Sequence, residues 1–149
     1  MAIPESIRKE HAHLHEVLDK ATKEKGGVGE AARAVREVLH PHFLREEEFA
    51  LPPLGMLSLS GSGPVGDVDG IIAMTERLGQ EMPRMLEEHA QIVRSLEVLA
   101  ARAKEAGKSE YVDFAHDLIH HAKMEEEVMY PTSLLIGAYL RMWKAQKKP

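Results

Sequence analysis

No cysteine occurs among the 149 residues. That removes disulfides, thiolate zinc sites, iron–sulfur clusters and thiol catalysis together, and it fits a reducing cytoplasm. Aromatic residues are scarce, with one Trp, three Tyr and three Phe, so no stacking platform for a large planar cofactor stands out. The longest apolar stretch, around Leu134 to Leu140, falls far short of the roughly 20 residues a membrane span requires. The opening MAIPESIRKE contains no apolar h-region, so secretion is not expected and the chain is expected to be cytoplasmic. A net charge of −5 without a basic run argues against nucleic acid as a partner. No strand-like alternation occurs. What the chain does have is nine histidines, and these are the residues to explain.

The length suits one domain spanning residues 1–149, with one core of ordinary size. Four segments show the helical period. The first stripe is Ile7, His11, Leu14, Leu18 and Ala21. The second is Ala31, Val35, Val38, His42 and Phe49, with Glu46 standing where an apolar residue belongs and Pro41 inside the segment. The third is Met82, Met85, His89, Ile92, Leu96, Leu99 and Ala103, with Pro83 suited to a first helical turn. The fourth is Phe114, Leu118, His121, Glu125 and Val128, with Ser109 as N-cap. Connections at Gly26–Gly29 and Ala106–Ser109 make antiparallel neighbours. The expectation is an all-α, up-down antiparallel four-helix bundle over about residues 5–130. Pro52–Gly70 reads as an irregular crossover followed by a short helix near Ile71–Leu78. An amphipathic fifth helix at about 132–146 is expected to pack on the bundle or on a second copy, making the protein a monomer or a homodimer.

One pattern occurs twice. His42-Phe-Leu-Arg-Glu46-Glu47-Glu48 precedes Pro52, and His121-Ala-Lys-Met-Glu125-Glu126-Glu127 precedes Pro131, at a constant offset of 79 (42 to 121, 52 to 131). His11 and His89 stand at nearly equal distances upstream. Positions i and i+4 share a helix face, so His42 and Glu46 point together, as do His121 and Glu125. Each pair lies on an apolar stripe, where an unpaired carboxylate is costly. Two multivalent cations bridged by the two carboxylates remove that cost, with His11, His42, His89 and His121 as terminal ligands. Mixed nitrogen and oxygen ligation suits non-haem iron, with manganese or zinc as weaker choices. The rival pattern, a ferritin-like Glu-x-x-His, occurs at Glu10–His13 and Glu37–His40. Both histidines point away from the stripes, so that reading fails.

These residues resemble the hemerythrin-like family of HHE cation-binding domains. The resemblance rests on Glu10-His11, His42-x-x-x-Glu46-Glu47 with Pro52, Glu88-His89, and His121-x-x-x-Glu125-Glu126 with Tyr130-Pro131. It implies an oxo- or hydroxo-bridged pair of iron ions, with Glu46 and Glu125 as bridging carboxylates and the four histidines as terminal ligands. It further implies binding of O2 or a related small ligand, NO or peroxide, for sensing, carriage or stress response. The chain departs from the oxygen carrier on its third helix, where Met85 and Val93 flank His89 by one turn and a second histidine is missing. His15, one turn after His11, is the residue expected to replace it. If it does not, more metal positions stay open, and an enzyme that decomposes hydrogen peroxide becomes the alternative, with iron storage as another. Tyr130 is expected to cap the core, with a hydrogen bond donated near the metals as the alternative.

Overall fold

The computed structural model describes residues 3–57 and 66–147. Five α-helices follow in order: α1 (Glu5–Thr22), α2 (Gly26–Arg45), α3 (Val68–Glu105), α4 (Ser109–Met124) and α5 (Tyr130–Lys147). No strand occurs among the described residues, and α1, α2, the second half of α3, and α4 form the expected bundle. No helix among them is long and apolar enough to cross a membrane. Part of the expected crossover, residues 58–65, lies outside the described residues.

Two expectations give way. The short helix at Ile71–Leu78 is not separate from the third bundle helix. Both belong to α3, 38 residues long, with Pro83 in its interior rather than in its first turn. Proline costs a helix interior a hydrogen bond and about 3 kcal/mol. Against that stands a stripe that runs across it unbroken: Ile71, Leu78, Met85, His89, Ile92, Leu96 and Leu99 are all buried. Gly26–Gly29 likewise open α2 instead of forming the turn, which is Lys23–Lys25.

The ends of α3 are well specified. At its start the Asp67 carboxylate accepts the Gly70 N–H at 2.9 Å. At its end Gly107, at φ +69°, lets the chain turn back. The Lys108 N–H then reaches the Ala103 carbonyl at 2.8 Å and the Gly107 N–H that of Lys104 at 3.2 Å.

α2 and α4 each run directly into a single π-helical turn, Glu46–Ala50 and Glu125–Met129, so the wide turn starts in both cases on the glutamate of the His-x-x-x-Glu pair. The Glu46 carbonyl accepts from Leu51 N–H and the Glu125 carbonyl from Tyr130 N–H. Pro52 and Pro131 follow at once. A proline ring clashes with the carbonyl four residues back, here Glu48 and Glu127, and widening the preceding turn relieves that clash. The extra residue in the turn shifts the phase of everything after it. Val128, expected on the inward stripe, is 48% exposed, while Tyr130 and Ser133 are fully buried. Ser133 Oγ donates to the Ala50 carbonyl at 2.7 Å.

α5 continues the line of α4 and packs mainly on the first half of α3. A Cβ on Gly137 would lie 2.0 Å from Thr75 Oγ1, so glycine is what lets these helices approach. The interior therefore has two apolar clusters. One lies among α1, α2, the second half of α3, and α4, with Leu18, Leu39, Leu96 and Phe114. The other joins the first half of α3 to α5, with Phe49, Leu78, Met85 and Leu140. Along α3 the boundary falls between Met85 and Ile92, at His89.

Candidate metal centre

That boundary is polar. His11, His42, Glu46, His89, His121 and Glu125 are all buried, one from α1, two at the end of α2, one from α3 and two at the end of α4. Two groups within them have donor atoms that all lie within 4.8 Å of one another: His42, Glu46, His89 and Glu125, and His11, His121 and Glu125. Glu125 belongs to both. Its Oε2 is 3.1 Å from His121 Nε2 and 3.5 Å from His11 Nε2, and its Oε1 is 3.3 Å from His89 Nε2. One carboxylate thus spans the two groups, one oxygen toward each.

The imidazoles are held from outside. His42 Nδ1 lies 3.0 Å from Glu88 Oε1, His89 Nδ1 2.9 Å from Glu126 Oε1 and His121 Nδ1 2.7 Å from Glu10 Oε1. A carboxylate oxygen only accepts, so each of these Nδ1 atoms carries the proton and leaves the Nε2 lone pair facing inward. Glu88 is itself gripped by Arg45, whose Nε donates at 3.1 Å, and approached by Arg84 Nε at 3.6 Å. His11 is held differently, with its ring stacked on Phe43 at 4.4 Å and 13°.

The electrostatics are those of a cluster with too many acceptors. Burial first, and the neighbouring Glu125 charge second, push the Glu46 carboxyl well above the carboxylate range. Burial acts upward on Glu125 too, but its close contacts with the Glu46 carboxyl and the imidazoles of His11, His121 and His89 outweigh it and hold that carboxyl well below the range. His42 is pushed down to about 3, chiefly by burial and then by His89. His121 is raised, because Glu125 and Glu10 outweigh its burial. Among the described residues Glu46 Oε1 is the one buried side-chain polar atom without a hydrogen-bond partner. His11 Nε2 and His121 Nε2 face each other at 3.0 Å. Inward lone pairs, two carboxylates and an orphaned oxygen in a buried waist are donors arranged for cations.

A family profile, the Hemerythrin HHE cation binding domain, matches residues 2–133. The chain belongs to this family. No curated protein and no solved structure matches it significantly. The HHE membership and the buried histidine and glutamate groups make the waist of the bundle a metal-binding site.

The structure brings together six of the seven expected residues. His15 stays outside. It is half-buried and edge-on to Phe43 at 4.7 Å, on the ring whose other contact is His11, and it lines a surface groove with Asp19, Arg33, Glu37 and His40. Burial and then the neighbouring His11 lower its pKa. Sequence phase alone puts His15 within 40° of the inward line. What it does not reveal is a phenylalanine from α2 occupying that direction. The sequence reading also underrates Tyr130, whose hydroxyl lies inside the cluster. The signal was available in Pro131, since the wide turn before that proline rotates Tyr130 inward.

His13, His40, His116 and His120 are exposed. Alanine at His13, His15 or His40 is therefore expected to leave the metal content at the wild-type level. Alanine at His11 or His89 is expected to lose at least one equivalent. Elemental analysis of dialysed protein checks this, and metal loss in His13→Ala matching that in His11→Ala would mean the register of α1 is wrong.

Proposed function

We propose that this HHE domain holds two iron ions and binds O2 or a related small ligand, NO or peroxide, at an open position beside His11 and His121. The carrying observation is the uneven division of donors about Glu125. The side with His42 and His89 has Glu46 and the Tyr130 hydroxyl close by, at 3.6 Å from His42 Nε2 for Glu46 Oε1 and 3.3 Å for the hydroxyl. The side with His11 and His121 has Phe43 where a further histidine would be needed. Manganese or zinc fits this donor set less well than iron, which favours mixed imidazole and carboxylate ligation with open positions.

A bound ferrous pair supplies electrons to a small oxidant. The chain's own part is orientation and exclusion. Glu88, Glu126 and Glu10 keep three imidazoles turned inward, and Leu14, Ile92 and Leu118, all buried, with half-buried Val38, keep water from the site. Glu46 and Tyr130, 2.5 Å apart, hold a proton next to the metal positions. Peroxide decomposition is the second reading, favoured by the exclusion of His15, because a position lacking a fifth histidine remains exchangeable.

Optical spectra of the iron-loaded, anaerobically reduced protein, exposed separately to O2, NO and H2O2, test this. A spectrum that forms with O2 or NO and reverses on degassing supports small-ligand binding. Rapid O2 evolution from peroxide supports the enzyme. No spectral response to any of the three would sink the proposal.

A further inference from the structure

The two halves of the chain are not chemically equal at the site. At the 79-residue offset (51 to 130), the counterpart of Tyr130 is Leu51. Both are fully buried, and both follow directly on the π turn. Only Tyr130 has an oxygen to offer. Its Oη lies 2.5 Å from Glu46 Oε2, 3.1 Å from His89 Nε2 and 3.3 Å from His42 Nε2.

A hydroxyl here cannot satisfy its surroundings. The Nδ1 protons of His42 and His89 are committed to Glu88 and Glu126, so both Nε2 atoms facing Oη carry lone pairs. One phenol proton meets two imidazole lone pairs and a carboxyl oxygen, and it can bond only one of them well. The spacing has another explanation. Two donors bound side by side on one octahedral ion, with bonds of about 2.1 Å, lie roughly 3.0 Å apart. The distances from Oη to both imidazole nitrogens are close to that edge length. The ring is also seated for the purpose, stacked on His89 at 5.6 Å and 29°.

We infer that Tyr130 is a ligand to one ion of the pair, the one held by His42 and His89, and that the ion held by His11 and His121 has no such oxygen. The phenol binds as phenolate, its proton released to solvent as the metal–oxygen bond forms. The two positions then differ in charge and in donor number, and the small-ligand position belongs to the ion without the tyrosine. This rests on the two-iron reading above.

The chain has three tyrosines, which makes the test clean. Tyr111 Oη is bonded to Glu24 at 2.9 Å, at the far end of the bundle, and Tyr139 is 53% exposed on α5. The diferric protein is expected to show a visible phenolate-to-iron charge-transfer band, and excitation within it should enhance the ring vibrations of a coordinated tyrosinate. Tyr130→Phe should retain two irons per chain and lose the band and the vibrations, while Tyr139→Phe should keep them. Two irons per chain in the wild type without tyrosinate vibrations would overturn this inference and leave the two-iron reading standing, whether or not Tyr130→Phe folds. A Tyr130→Phe protein that keeps the vibrations would also overturn it. Fewer than two irons per chain in the wild type would overturn both.

Discussion

Glu125→Ala is expected to strip the chain of both metals. Among the described residues it alone belongs to both groups of donors, and its two oxygens are divided between His89 on one side and His11 and His121 on the other. Without it, the group of His11 and His121 keeps no carboxylate, and that of His42 and His89 keeps Glu46 alone with nothing to hold a second ion beside it. Metal bound only by the folded chain stabilises it by about 4 kcal/mol per site when present at a thousandfold excess over its dissociation constant. The variant should lose that increment, so added iron should no longer raise its unfolding midpoint. Elemental analysis and thermal unfolding with and without iron measure the two effects. Retention of two equivalents would remove Glu125 from its bridging role.

Glu46→Gln is expected to act in opposite directions on the two forms of the protein. With metal available it should lose binding, since an amide carries no charge for the cations. In the metal-free chain it should be stabilising by roughly 1–3 kcal/mol at neutral pH. The Glu46 carboxyl is held well above its ordinary range by burial and by Glu125. From the ordinary value of about 4.3 up to that raised value, the folded chain keeps a proton that the unfolded chain has released, and stability falls as pH rises across the window. Glutamine has no proton to lose and escapes that fall. Its oxygen can still accept from Tyr130 and its amide can donate toward Glu125. Below the ordinary carboxyl range the two metal-free proteins should unfold alike. Chelated wild type and variant, melted across a pH series, decide this. A variant less stable than wild type at neutral pH would mean that the waist tolerates its buried carboxyl without cations.

Much of the site was legible because ligands on helices obey the same phase as the core. His11, His42, Glu46, His89, His121 and Glu125 stood where apolar residues belonged, and a polar residue on an apolar stripe is a strong signal. The phase argument weakens where the helix stops being α. Counting 100° per residue past Glu125 points Val128 inward and favours a capping role for Tyr130 over a hydrogen bond near the metals, whereas one wide turn brings Tyr130 and Ser133 to the interior. Pro83 misled for a related reason. It marks a helix start only if the stripe begins with it, and here the stripe begins a dozen residues earlier at Ile71. His15 shows a different limit. Its phase on α1 lies near the inward line, but no single-helix argument reveals that Phe43 from the neighbouring helix fills the space it would cross.

The two apolar clusters meet at a layer that, in the metal-free chain, contains opposed lone pairs and an orphaned carboxyl oxygen. Such a layer transmits little cohesion from one cluster to the other. α3 passes through both, whereas α5 packs on the first half of α3 and on Pro52–Met56, with Ser133 bonded to Ala50, all on one side of that layer. The metal-free protein should then behave as two cooperative units, with amides of α5 and residues 68–85 exchanging with solvent well before those of Ile92–Ala103. Metal would fuse the units into one, so that their exchange rates converge. The ions then act as the keystone of the architecture, and a cell that withholds them leaves the chain with one end open to proteases.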